Sequence, residues 1–352
     1  MKYLHRTFRE ELSDESNCWL EGGVLYIRSR KWEPKDIVDL CAKEDGSNEI
    51  FDSLFAEWKE EWTLQRVEQA DQILAEYGRQ DSFYRLAEVH RTGGLIPFVG
   101  AGLSIPSGCP GWTAFLRKAC REAALDESEF EALLAQSCYE EAAQRLADVA
   151  GPAFYEDIDS TFARKREVIG PIGLLPYIFS DSVITTNFDT ILEQAFADAG
   201  KPFDAVLNGA DSQRFRILAT ERKRLLLKLH GNAESSRERV LTQTEYNQHY
   251  SDASILRRTV QALYDRNNLL FLGCSLTADR LLTAFCEYVR SEGHDNLPRH
   301  YAFIEAPETE KERAARKSAL AQYHIYPIWY PPGTHDESIE ALLIKLHEDA
   351  QS

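Results

Sequence analysis

Six short segments dominate the chain from about Asp81 onward: Leu95 to Val99, Ser182 to Thr185, Leu225 to Leu229, Asn268 to Leu272, His300 to Ile304 and Ile325 to Tyr330. Several are nearly continuous apolar runs with no polar alternate face. That is the texture of strands buried on both sides in a parallel sheet, which needs helices on both faces. The intervening segments supply them. Ile191, Leu192, Ala195, Phe196 and Ala199 form one apolar stripe that stops at Gly200. Leu281, Leu282, Phe285 and Val289 form a second that stops near Gly293. The spacing therefore predicts an α/β fold over 81–352, a Rossmann-like, mostly parallel sheet. A helical insertion at about 112–175, starting with the Ala-, Leu- and Glu-rich stretch from Trp112 to about Ala150, is expected to form a small lobe over it.

The first 80 residues have a different texture and are read as an appended module, a cap or an interaction element. Trp19 to Ile27 carries a central Gly22-Gly23 suited to a hairpin, and helical patterns run from about Pro34 to Tyr77. Phe51, Phe55, Trp58 and Trp62 recur every three or four residues, so they make one stripe that must be covered, either by the main domain or by a subunit or partner.

Composition excludes several function classes. A formal charge of -17 repels phosphate backbones and anionic lipid surfaces, so no direct nucleic-acid or membrane partner is expected. The basic stretch Arg214 to Arg224 reads as a solvated helix face, or as a dock for an acidic partner. No apolar run approaches the roughly 18 to 20 residues that span a bilayer, and Met1 to Glu11 is charged throughout, so a cytoplasmic protein is expected. The seven cysteines are scattered, with no C-x-x-C pair to suggest a disulfide framework or a zinc knuckle.

Four strand ends carry candidate chemistry. Leu95 to Val99 runs straight into Gly100-Ala101-Gly102-Leu103-Ser104, where glycines permit close approach to a pyrophosphate; Gly-x-Gly after a strand is also a common tight turn. Thr185-Thr186-Asn187-Phe188-Asp189 follows the next strand. Asp189 there can cap the helix starting at Thr190, but capping does not account for Asn187. His230-Gly231 follows Leu225 to Leu229, and an imidazole there can take a proton from a ribose hydroxyl or from water, although a lone histidine is more often structural. Gly273-Cys274-Ser275 follows Asn268 to Leu272, with Gly273 admitting a phosphate or ribose and Ser275 as a donor, or simply turning the chain. In an open α/β sheet all four ends face one crevice.

In this order, Gly-Ala-Gly-x-Ser, Thr-x-Asn-x-Asp, His-Gly and Gly-x-Ser, the chain resembles the sirtuin superfamily, and more closely its bacterial NADase branch found in anti-phage defence. The likeness covers about Asp81 to Glu348. It is strengthened by Leu241-Thr242-Gln243-Thr244-Glu245-Tyr246, by Gly273 to Asp279 and by the closing strand Ile325 to Tyr330. The resemblance implies NAD as substrate, with Asn187 beside the nicotinamide ribose and attacking water, and His230 as base. It puts Gly100, Ala101, Gly102 and Ser104 at the pyrophosphate, Asp189 near the carboxamide, and Gly273 and Ser275 on the adenosine half. Thr186 joins the binding set, standing where deacetylating sirtuins have glutamine. No cysteine lies between His230 and Gly273, where those enzymes hold a four-cysteine zinc module, so no zinc is expected. Glu305, at the end of His300 to Ile304, is a candidate for the adenine ribose.

The resemblance thus implies an NAD glycohydrolase that yields nicotinamide and ADP-ribose, or a cyclised form. Such an effector of abortive infection would be restrained by self-association or by an activating partner such as an ATPase or nucleic-acid sensor. The competing readings are a module that senses NAD or ADP-ribose without turnover, and a deacylase or ADP-ribosyltransferase using the same crevice.

Overall fold

The computed structural model describes residues 2–13, 25–27, 30–32, 49–208, 214–215, 217–218, 221, 223–235, 239–250, 253–265, 267–277 and 280–351. They form two compact units, Met1–Gln69 and Ala70–Ser352. The division falls within one long helix, N-terminal to the Asp81 expected from the sequence. Asp71 already pairs with Lys345 near the far end of the chain, at 3.0 Å.

The first unit contains α1 (Lys2–Ser13), β1 (Leu25–Ile27), β2 (Arg30–Trp32) and the start of α2 (Glu49–Glu76). Leu25–Ile27 pairs antiparallel with the segment that follows it, Leu25 opposite Trp32 and Ile27 opposite Arg30. The Gly22-Gly23 turn expected from the sequence, and the helical pattern from Pro34 to Asn48, lie outside the described residues. The stripe Phe51, Phe55, Trp58 and Trp62 is buried, and α1 packs on the first three of its rings. The Phe8 ring sits 5.5, 5.6 and 5.2 Å from Phe51, Phe55 and Trp58, and the Trp58 indole N–H donates to Glu11 at 2.7 Å. The sequence reading, which looked to the main domain or a partner for cover, did not include this contact. Charge in Met1 to Glu11 drew attention from Leu4 and Phe8, an i, i+4 pair that gives α1 its own apolar face. Deleting residues 1–13 is expected to bare these rings, so the truncated protein should sediment as larger species than the full chain in analytical ultracentrifugation. Identical sedimentation would contradict the packing.

The second unit continues with α3 (Gln80–Arg91), β3 (Leu95–Val99), a 3-10 turn (Ala101–Ser104), α4 (Trp112–Glu122), α5 (Glu127–Ala135), α6 (Tyr139–Ala150), α7 (Pro152–Phe162) and α8 (Leu175–Ile178). Next come β4 (Val183–Thr185), α9 (Ile191–Asp198), β5 (Ala205–Asn208), β6 (Leu225–Lys228), α10 (Gln243–His249), α11 (Ala253–Tyr264) and β7 (Asn268–Leu272). The chain closes with α12 (Arg280–Glu292), β8 (His300–Glu305), α13 (Glu310–Ala321), β9 (Ile325–Tyr330) and α14 (His335–Gln351).

Strands β3 to β9 make a seven-stranded sheet of order β5-β6-β4-β3-β7-β8-β9, parallel throughout. The six expected strands are present. The one missed, β5, is an edge strand in which Leu207 alone is buried, and its apolar run is only the three residues Ala205 to Leu207. From β3 the chain builds outward through β4 and β6 on one side, then returns to lay β7 against the other. That reversal is the switch point of the sheet, and ligand crevices in open α/β sheets lie at the carboxyl ends of the strands flanking it.

Two apolar cores hold the crevice in place. One includes Phe98, Ile184, Leu227 and Phe271 of the strands with Tyr264, Phe285 and Val289 of the helices. The other fills the lobe of α4 to α7 with Phe115, Phe130, Leu146, Phe154, Ile158 and Phe162, and takes in Phe188 from beyond β4. Phe188 is 1% exposed and meets Trp112 edge-on at 4.9 Å, so the segment after β4 is plugged into the lobe. Burying one such ring is worth about 2 kcal/mol. Among the described residues, no helix is long and apolar enough to cross a membrane.

Candidate active site at the switch point

Register aligns the strand ends. Val99 pairs with Thr185 on one side and with Leu272 on the other, and Thr185 pairs with Lys228. The next residues along the chain, Gly100, Thr186, Leu229 and Gly273, therefore leave the sheet side by side. Short bonds then stitch the loops together. Gly100 N–H donates to Leu272 O at 2.8 Å, Gly102 N–H to Gly273 O at 2.9 Å, and Leu229 N–H to Thr185 O at 2.9 Å. The Thr185 hydroxyl donates to Val99 O at 2.8 Å and accepts from Asn187 N–H at 3.0 Å.

The glycines are explained by this stitching. A Cβ on Gly100 or Gly102 would lie 2.5 or 2.8 Å from Gly273 O, and one on Gly273 would lie 2.5 Å from Leu103 N. Gly273 also has φ +64°, which favours glycine on its own. Two of the N–H groups that a diphosphate would use, those of Gly100 and Gly102, are spent on the β7 side. The residue types that suggested a phosphate loop thus serve backbone contact between two loops first.

Above this floor lies a cavity of about 680 Å³. Gly100, Ala101, Gly102, Thr186, His230, Gly273 and Ser275 line it, together with Trp112 and Tyr139 of the lobe and Arg280 of α12. The volume falls within the range of small-molecule sites. Ser104, Asn187 and Asp189 sit behind the wall. Each is buried, and Asn187 Nδ2 donates to the Ser104 hydroxyl at 3.2 Å. The amide nitrogen faces Ser104, and Asn187 Oδ1 is left buried with no hydrogen-bond partner among the described residues. An unpaired buried acceptor is costly.

Two expected ligand contacts are occupied otherwise. Ser104 is enclosed between Asn187 and Asp189 rather than lining the cavity. Asp189 accepts from Ile191 N–H at 3.0 Å, the helix-start role that competed with a ligand role in the sequence, and burial pushes its carboxyl above the usual range. Glu305 also lies off this cavity wall: it is exposed and accepts from Gly333 N–H at 3.3 Å. Ala278 and Asp279 fall outside the described residues. So does part of the basic stretch 214–224, in which Arg224 donates to Ser180 O at 3.0 Å and Pro202 O at 3.2 Å instead of forming an open patch.

His230 is half-buried at the cavity wall. Its Nε2 lies 2.9 Å from the Tyr246 hydroxyl, and its pKa is lowered to about 4, first by burial and then by His249. The imidazole is therefore neutral at physiological pH. The segment that follows it is held by residues the sequence reading did not assign. Buried Arg239 pairs with Glu245 at 3.1 Å and lies over the Tyr155 ring at 4.5 Å. The other oxygen of Glu245 accepts from Leu241 and Thr242 N–H at 2.9 Å each, while the Thr242 hydroxyl accepts from Glu245 N–H. This capping box was legible as Thr242-x-x-Glu245. On β6, buried Lys228 donates to Asp189 O at 2.7 Å and pairs with Glu193 at 3.0 Å, fixing the segment after β4; its signal was a lysine inside an apolar run. Among the described residues, no group of three or more His, Cys, Asp or Glu is arranged to hold a metal. The five described cysteines are free.

Removing Glu245 strands a buried guanidinium and two N–H groups. Glu245→Ala is expected to cost about 3 kcal/mol in urea denaturation, whereas exposed Glu131→Ala should leave the midpoint nearly unchanged. Equal costs would contradict this account of the loop.

Residues 181–328, from the approach to β4 into β9, match the SIR2-like domain family. The NAD(+) hydrolase ThsA of Cytobacillus dafuensis is 26% identical over 257 residues, 66% of this chain and 49% of that protein. The protein of the same name from Bacillus cereus (strain MSX-D12) is 25% identical, over 65% of this chain and 46% of its own length. The Defense-associated sirtuin 2 of Bacillus subtilis is 26% identical over 60% of this chain and 21% of its own. The chain thus spans about half the length of the curated NAD(+) hydrolases it matches. In its parallel sheet, in the order of its strand-end loops and in these relatives, the chain resembles the sirtuin superfamily and its NAD(+)-hydrolase branch, with a SIR2-like domain matched over residues 181–328.

Proposed function

We propose that this chain hydrolyses the bond between nicotinamide and ribose in NAD. The observation that carries the reading is the switch-point cavity, which has neutral His230 and Thr186 on its wall, Thr186 being followed in the chain by Asn187 with its unpaired Oδ1. The similarity to proteins named NAD(+) hydrolase supports it. In this reaction the C1′–N bond breaks with its electron pair going to the pyridinium nitrogen, so nicotinamide leaves neutral. Water supplies the oxygen that bonds C1′ and gives up one proton. Asn187 Oδ1 accepts a hydrogen bond from that water or from a ribose hydroxyl, which satisfies the orphaned acceptor only when substrate is present. His230 takes the released proton. Ala101, Thr186, Gly273 and Ser275 hold the rest of the dinucleotide along the cavity.

The cellular role that goes with this chemistry is a cytoplasmic effector of anti-phage defence that depletes NAD and is held in check by self-association or by a partner protein. The relative named Defense-associated sirtuin 2 supports the defence setting.

Nicotinamide release by the purified full chain should fall about a hundredfold or more in Asn187→Ala and in His230→Ala, in protein that circular dichroism shows to be folded at the assay temperature. Activity close to wild type in either variant contradicts the assignment. The pH profile gives a second check. His230 has a folded pKa below its unfolded value, so the neutral form and the stability it brings persist above the ordinary imidazole pKa of about 6.5 and are lost only as pH falls toward about 4. Release should therefore hold through mildly acidic pH, and an acid limb at the ordinary imidazole pKa would contradict the buried setting.

A further inference from the structure

The hydrolase reading leaves open what fixes the ring of His230, and the structure offers one partner for it. Nε2 lies 2.9 Å from the Tyr246 hydroxyl, with the two rings edge to face at 5.6 Å. Among the described residues Nδ1 has no hydrogen-bond partner, and His230 lines the cavity. A neutral imidazole carries its proton on one nitrogen, and the bond made by the other decides which. Tyr246 is itself set firmly. It is 7% exposed, and its N–H donates to Thr242 O at 2.9 Å on the first turn of α10, whose start the capping box holds. The Arg280 guanidinium lies 5.2 Å over its ring and is anchored by Glu140 of the lobe at 2.7 Å. From the other direction, Val240 N–H donates to His230 O at 2.9 Å. The Arg280 guanidinium therefore packs on the phenol, and the phenol meets one nitrogen of His230.

We propose that Tyr246 is the positioning residue for His230: its hydroxyl accepts the Nε2 proton, so that Nδ1 presents its lone pair to the ribose. The claim rests on the hydrolase reading for what Nδ1 does, but not for how the ring is held. When Nδ1 takes a proton, the Nε2–H bond to Tyr246 becomes charge-assisted and strengthens, and this is the form the reaction passes through. Phenylalanine would keep the ring under Arg280 and remove the hydroxyl that meets Nε2.

The test is Tyr246→Phe in the full chain, read two ways. Long-range 15N spectra of the imidazole, without substrate, should show the Nε2–H tautomer in wild type and a mixed or reversed tautomer in the variant. Nicotinamide release should show kcat lower by about tenfold to a hundredfold, with KM changed less than about twofold. Wild-type tautomer and rate in the variant would overturn the proposal. So would a lost rate with an unchanged tautomer, because the hydroxyl would then act on the substrate directly. A wild-type protein that releases no nicotinamide while its tautomer still responds to Tyr246→Phe would refute the hydrolase reading and uphold the positioning claim.

Discussion

The site depends on the backbone contact between the loops that leave β3 and β7. Gly102 N–H meets Gly273 O at 2.9 Å in a space too small for a Cβ on either chain. This contact forms the floor of the cavity and sets the height at which the flanking segments pass. The segment after β4 is drawn down onto the same floor through the Thr185 hydroxyl and the Asn187 to Ser104 bond. Pinning the loops to one another costs conformational freedom in advance, so less remains to be lost when a ligand binds.

On that floor, two kinds of polar group are separated by burial. Lys228 and Asp189 are bonded within the protein and serve to orient. Asn187 Oδ1 and one oxygen of Glu193 are buried without a hydrogen-bond partner among the described residues, and His230 lines the cavity with Nδ1 unbonded among them. A fold normally pairs every buried polar atom, so an acceptor left open beside a cavity is stored for something that comes and goes. The segment 239–246 plays the matching part for His230: an ion pair and a capping box hold it in place.

The sheet was legible because its central strands are buried on both faces and so read as apolar runs. The edge strand Ala205–Asn208 was not, since its three apolar residues are too few to separate a strand from a loop. The convergence of the four loops was legible from their places at strand ends, because parallel strands deliver their carboxyl ends to one edge. The roles of individual residues were less so. Glycine at 100 and 102 reports close backbone approach in sequence, but not whether ligand or protein makes the approach, and here the protein does. The resemblance put Ser104 and Asp189 at the ligand, and a sequence does not show that Ser104 accepts from Asn187 and Asp189 from Ile191 N–H. Tyr246 was visible only as part of a motif, since its partner His230 lies on a different element and the pairing is a tertiary fact.

The most direct measurement is a crystal structure of the full chain with ADP-ribose bound. The account predicts the diphosphate along Ala101 and Gly273, and the ribose that bears C1′ within about 3 Å of both Asn187 Oδ1 and His230 Nδ1. A ribose that reaches only one of them, or a nucleotide seated away from the switch point, would contradict it.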